Sequence, residues 1–167
     1  MIVSFALLVL SFVCMIYDLR DQKVPMPLTV GGLVAASMCA LFHSLWAPLL
    51  LTFVLILVAD FNPRTKRLVF ALTLSGLAAL IQPATSLICI LILTLWMLWE
   101  FGIIGGADAK LLIASMLVFN NPFVLIFISI VGGVQGVIAA LQKKKEIPFV
   151  VSIFCGTVLF VLYSYFC

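Results

Sequence analysis

Charge is what this sequence has least of. Of 167 residues, nine are lysine or arginine and six are aspartate or glutamate, 9% in all. An ordinary soluble domain carries about a quarter. The net charge of +3 is small and scattered, which excludes a nucleic-acid footprint. Histidine occurs once, at His43, and five cysteines (Cys14, Cys39, Cys89, Cys155 and Cys167) stand singly in apolar surroundings. No two have metal-ligand spacing, so the sequence offers no zinc or other metal site and asks for no cofactor. Such cysteines read as small buried hydrophobes. The first residues lack a basic n-region and a small-residue cleavage signal, so 1–17 reads as a retained span and not as a removable signal peptide. Linkers and low-complexity segments are missing, and 1–167 reads as one integral-membrane domain. No segment alternates polar and apolar as a barrel strand would, which leaves helices.

What the chain has is hydrophobic surface: 66% of residues, with a mean hydropathy of +1.39. The charges interrupt it in clusters: Asp18, Arg20, Asp21 and Lys23; Asp60, Arg64, Lys66 and Arg67; Glu100, Asp108 and Lys110; Lys143, Lys144, Lys145 and Glu146. Between clusters, each apolar stretch is broken near its middle by turn formers: His43–Pro48, Gln82–Ser86 and Asn120–Pro122. A run of helical hairpins that start and end on one side accounts for this pattern. The expected fold class is therefore an all-α polytopic transmembrane bundle of about eight spans: 1–17, 27–43, 46–60, 67–82, 86–101, 109–120, 123–141 and 148–166. Phe70–Ile81 and Leu111–Phe119 are short against the about 20 residues a crossing helix needs, so the flanks must extend them or the bilayer thin around them. Every lysine and arginine falls on one face, which the positive-inside bias makes cytoplasmic.

That topology places Asp18, at the end of the first span, level with Asp108, at the start of the sixth. A carboxylate at a membrane edge is expensive to desolvate and is a functional candidate by default. Two held close together cannot both ionise easily, so one keeps a proton. The ionised partner can then draw a proton from water while the protonated one polarises a carbonyl and protonates the leaving amine. No serine or cysteine nucleophile has a histidine partner, since His43 falls on the far side. The pair Asp18 and Asp108 is thus the candidate catalytic machinery. Gly105 and Gly106 allow backbone or substrate to approach closely.

These residues resemble a known family. Gly105-Gly106-Ala107-Asp108 is similar to the G-x-G-D motif of intramembrane aspartic proteases, with Ala107 in place of a glycine. Gly106-Ala107-Asp108-Ala109-Lys110-Leu111-Leu112 resembles more specifically the type IV prepilin peptidases and archaeal preflagellin peptidases. Asp18-Leu19-Arg20 through Val24-Pro25 and Leu28-Thr29 resembles their first aspartate motif, with Met26 where asparagine is usual. Lys143–Pro148 followed by Phe149 resembles their basic loop before the last span. The interval between the aspartates is longer than in compact members, as if a hairpin around Arg64–Arg67 had been added. An even number of added spans keeps both aspartates on one face.

The resemblance implies an aspartic endopeptidase of a prokaryotic inner or plasma membrane. It would remove short basic leaders from prepilin-like or preflagellin-like precursors, with Asp18 and Asp108 catalytic. Gly105, Gly106, Lys110, Ile147 and Pro148 would be supporting or substrate-binding positions. The Cys-x-x-Cys domain of large methylating members has no counterpart, which favours peptidase activity alone. Asp21, Glu100 or Glu146 could attract the basic leader, and Lys110 or Lys143–Lys145 could meet an acidic residue after the cut. The lysine run reads equally well as a topology signal or an anionic-lipid contact.

Three alternatives stand beside this. Tyr17-Asp18 also resembles the Tyr-Asp motif of presenilin and signal-peptide-peptidase enzymes, although their Pro-Ala-Leu signature is absent. A small ion-coupled transporter could use Asp18, Asp108 and Lys110 as a relay, but a carrier site belongs near the midplane. A structural membrane protein needs its edge charges only for topology. Gly31-Gly32, Gly132-Gly133 and Gly136 suit close helix packing. Trp46, Trp96 and Trp99 are expected near interfaces, as aromatic belts are.

Overall fold

The computed structural model describes residues 2–21, 24–58, 64–142 and 148–166. Among them are eight α-helices and no strand: α1 (Ile2–Asp21), α2 (Met26–Phe42), α3 (Trp46–Val58), α4 (Arg64–Ile81), α5 (Ser86–Glu100), α6 (Gly106–Phe119), α7 (Phe123–Leu141) and α8 (Phe149–Phe166). A 3₁₀ turn at Pro83–Thr85 leads into α5. Each helix falls on one of the eight expected stretches, and α4 and α6 gain their length at their N-terminal flanks. Three stretches are long and apolar enough to cross a membrane: Pro83–Glu100, Phe123–Leu141 and Phe149–Phe166. Met26–Phe42 and Trp46–Val58 are apolar but shorter. The lysine run 143–145, Glu146, Ile147, Lys23 and Asp60 lie outside the described residues.

The helix ends are set by local chemistry. Pro25 precedes α2, where proline's fixed φ suits a helix start. Asn120 ends α6 in the left-handed conformation, its N–H donating to the Met116 carbonyl. At the α2–α3 turn, the Gln82 amide donates to Ser44 O at 2.8 Å and its oxygen accepts from Ala47 N at 3.2 Å. That one side chain ties the α2–α3 and α4–α5 turns together.

The centre of the bundle is α6. Ala109 and every residue from Leu111 to Val118 are buried, because α6 packs against α1, α2, α3, α5, α7 and α8. A helix apolar on all sides has to be enclosed in this way. With 14 residues it is about 21 Å long, shorter than the about 30 Å hydrocarbon layer. Around it α1, α2, α5 and α8 supply Cys14, Ala36, Ile92, Trp96 and Ile153 to the core. Cys14, Cys39 and Cys89 are buried and free, as small apolar residues would be.

Two packing expectations change. The closest helix approach uses Gly156 of α8, where an added Cβ would lie 2.5 Å from the Ile128 Cα of α7. Of the glycines singled out on sequence, Gly132 faces Phe149 and Ser152 and Gly32 faces Leu10, while Gly31, Gly133 and Gly136 have open space. Among the tryptophans, Trp46 is exposed but Trp96 is 1% exposed and part of the core, so it belongs to no aromatic belt.

Candidate active site

Asp18 lies in the last turn of α1 and Asp108 in the first turn of α6, both beyond the apolar stretches 1–17 and 109–120. The packing of α1 on both α6 and α8 brings the two acids and the Pro148 segment to one end of the bundle. Asp18 Oδ2 accepts a hydrogen bond from the Val150 backbone N–H at 3.3 Å. Val150 is the second residue of α8, so Asp18 caps an α8 N–H that has no partner within its own helix. The two acids also sense each other: the charge on Asp18 contributes to raising Asp108.

Asp108 is the third residue of α6, and Gly105 is its N-cap, in an extended conformation with φ −67° and ψ 148°. The Asp108 carboxyl accepts from the Gly105 N–H, which is one half of a capping box. Burial pushes the Asp108 carboxyl up to about 6, with the Asp18 charge adding to it and the Gly105 N–H opposing. Burial raises Asp18 as well, offset by the Val150 N–H. Both carboxyls are raised and coupled, so the pair titrates as a unit in which one group holds its proton while the other ionises. This is the division of labour that a carboxyl pair needs for acid–base work.

Both glycines are required by contact. A Cβ on Gly105 would stand 2.9 Å from Asp108 Oδ2, and one on Gly106 would stand 2.8 Å from Trp99 Nε1. Trp99 in turn lies under Lys110, whose Nζ is 5.7 Å from the ring centroid, within cation–π range. Lys110 thus belongs to the same corner as Asp108. Glu100, considered above as an attractor of basic leaders, accepts from Arg67 instead, with Nη2 2.8 Å from Oε1. The pair joins the start of α4 to the end of α5.

Pro148 is positioned by a residue that the sequence did not bring forward. Gln135 of α7 donates through Nε2 to the Pro148 carbonyl at 3.1 Å, and Ser152 Oγ donates to Gln135 Oε1. The available signal was a single amide within the apolar run 123–141. The Val150 N–H had no signal at all, since a backbone donor has no side-chain signature. Ile147, the remaining candidate, lies outside the described residues. Among the described residues no group of three histidine, cysteine or acidic side chains stands close enough to hold a metal. The chain matches no known family model, no curated protein and no solved structure.

Proposed function

We propose that this protein is a polytopic membrane aspartic endopeptidase that removes short basic leaders from prepilin-like or preflagellin-like precursors at the cytoplasmic face. The single observation that carries the reading is the pair Asp18 and Asp108: two acids 90 positions apart, at one end of the bundle, both pushed up by burial and coupled through charge. A membrane setting is supported by the three long apolar helices and by the outward face of α7. That face presents Ile126, Ile130, Val134, Val137 and Leu141, a surface that water would penalise and lipid accommodates.

In this mechanism the ionised Asp18 takes a proton from a water molecule, and the resulting hydroxide equivalent attacks the scissile carbonyl. Asp108 gives its proton to the carbonyl oxygen, so the tetrahedral intermediate forms without a free oxyanion. As the C–N bond breaks, Asp108 takes back a hydroxyl proton of the intermediate and passes it to the leaving amine, while Asp18 holds the proton drawn from water. Lys110, over the Trp99 ring, would meet an acidic residue just after the cut. The precursor's apolar helix would lie in the bilayer while its leader stays at the charged end.

The test is cleavage of a prepilin-like peptide, with a basic leader and an apolar helix, by the detergent-purified full chain. Asp18→Asn and Asp108→Asn should each reduce kcat by about four orders of magnitude or more while leaving the helical fold intact. Cleavage that persists in either variant would remove the proposal.

A further inference from the structure

We propose that Gln135 is a positioning residue for Asp18, acting across α7 and α8 through the Pro148 carbonyl, the Ser152 hydroxyl and the Val150 N–H. This rests on reading Asp18 as half of the catalytic pair. A primary amide on a helix made, apart from Ser129, of Val, Ile, Leu, Phe, Ala and Gly needs partners when it is removed from water. Gln135 finds both in the first turn of α8 and its approach. Its Nε2 donates to Pro148 O at 3.1 Å, and its oxygen accepts from Ser152 Oγ. Gly132, one turn earlier on α7, lets α8 come close: an added Cβ would already be 3.4 Å from the Phe149 ring and 3.7 Å from Ser152 Oγ.

The amide therefore grips α8 on both sides of Val150. Pro148 is two residues before it and Ser152 two residues after. Val150 N is the atom that donates to Asp18 Oδ2, at 3.3 Å. A proline at 148 has no N–H of its own, so the Val150 N–H is among the first donors that α8 can offer. Fixing the carbonyl of Pro148 and the hydroxyl of Ser152 fixes the direction of that N–H. The buried apolar residues of the two helices, Val124, Ile128 and Ile153, pack without direction.

A contribution to α7–α8 adhesion alone would change stability and leave Asp18 as it was. Positioning predicts an effect on the Asp18 carboxyl itself. Among the described residues, the groups coupled to it by charge are Asp108 on α6 and Cys14 one turn back on α1. Neither α2 nor α8, the other helices packed on α1, carries a charged side chain.

The experiment uses a fluorescent carbodiimide, which reacts with protonated carboxyls, on the full chain in detergent. Labelling of Asp18 is followed by mass spectrometry against pH in an Asp108→Asn background, which removes the coupled titration. Gln135→Met keeps length and apolar bulk but has no amide. It is expected to move the Asp18 midpoint upward by about half a pH unit or more, because the ionised form loses a directed donor. Ser152→Ala should move it in the same direction by less. Midpoints equal to the parent in both variants would overturn the inference. Ser152→Ala decides it where Gln135→Met does not fold. Labelling needs no peptide substrate, so a wild-type chain that cleaves nothing would end the peptidase reading without touching this result.

Discussion

Burial, the Asp18 charge and one backbone N–H act together on the Asp108 carboxyl, and their balance sets when it ionises. Because Asp108 is raised from 3.8 to about 6, the folded chain binds more protons than the unfolded chain between those values. Its contribution to stability is fully present below about 4 and is lost as pH rises through about 6. Asp108→Asn keeps an acceptor for the Gly105 N–H and removes the charge. Its melting temperature should therefore exceed wild type at pH 8, and the difference should vanish toward pH 4; a difference independent of pH would contradict this. The same titration bears on rate. With Asp108 as the acid, kcat/KM should fall as pH rises above about 6.

The neighbouring glycines make separate demands. Gly105→Ala should act on the Asp108 carboxyl, 2.9 Å from the new Cβ, and shift the falling limb of the pH–rate profile. Gly106→Ala should instead displace the Trp99 ring, at a cost of about 1–3 kcal/mol. Trp99→Phe in the same chain should recover part of that loss, which a double-mutant cycle measures as non-additivity.

At the scale of helices, α7 and α8 meet backbone to backbone at Gly156, where a methyl would reach 2.5 Å from Ile128 Cα and 2.7 Å from its nitrogen. Main-chain atoms inside a helix cannot turn aside, so Gly156→Ala should separate α7 from α8 and destabilise the fold by about 3 kcal/mol. A melting temperature unchanged by Gly156→Ala would show that the two helices have slack. Helices were the most legible feature of the sequence. Clustered charges and the breaks at His43–Pro48, Gln82–Ser86 and Asn120–Pro122 mark their ends independently of any packing. Which glycine mattered was not legible, because Gly132-Gly133 and Gly156 look alike until the neighbouring helix is in place. The Arg67–Glu100 pair was hidden for a similar reason. With side chains 17% and 10% exposed it is a partly buried contact, but in sequence its members read as edge charges. Asp18 and Asp108, in contrast, could be paired from the expected topology, in which an even count of crossings would put them on one face.

For the molecule as a whole, the charged corner of Asp18, Asp108 and Pro148 lies at the opposite end from the turns that Gln82 ties together. The proposed eight crossings then make a definite prediction for single cysteines introduced into a chain whose native cysteines have been replaced. Leu19→Cys and Ile103→Cys stand at exposed positions at the end of α1 and beyond α5, and Phe42→Cys and Ile81→Cys at exposed positions at the ends of α2 and α4. A membrane-impermeant maleimide added to intact cells should label the second two and reach the first two only after permeabilisation. All four labelled from the same side would refute the eight crossings.

The hydrogen bond from Val150 to Asp18 also has a bearing on timing. Asp18 lies on α1 and is synthesised long before its donor Val150 on α8. Until α8 has been made and has docked, Asp18 lacks the Val150 donor. On the proposed peptidase reading, a copy without α8 would lack the donor that orients Asp18 and would be unable to cut its neighbours, so competence would begin when assembly ends.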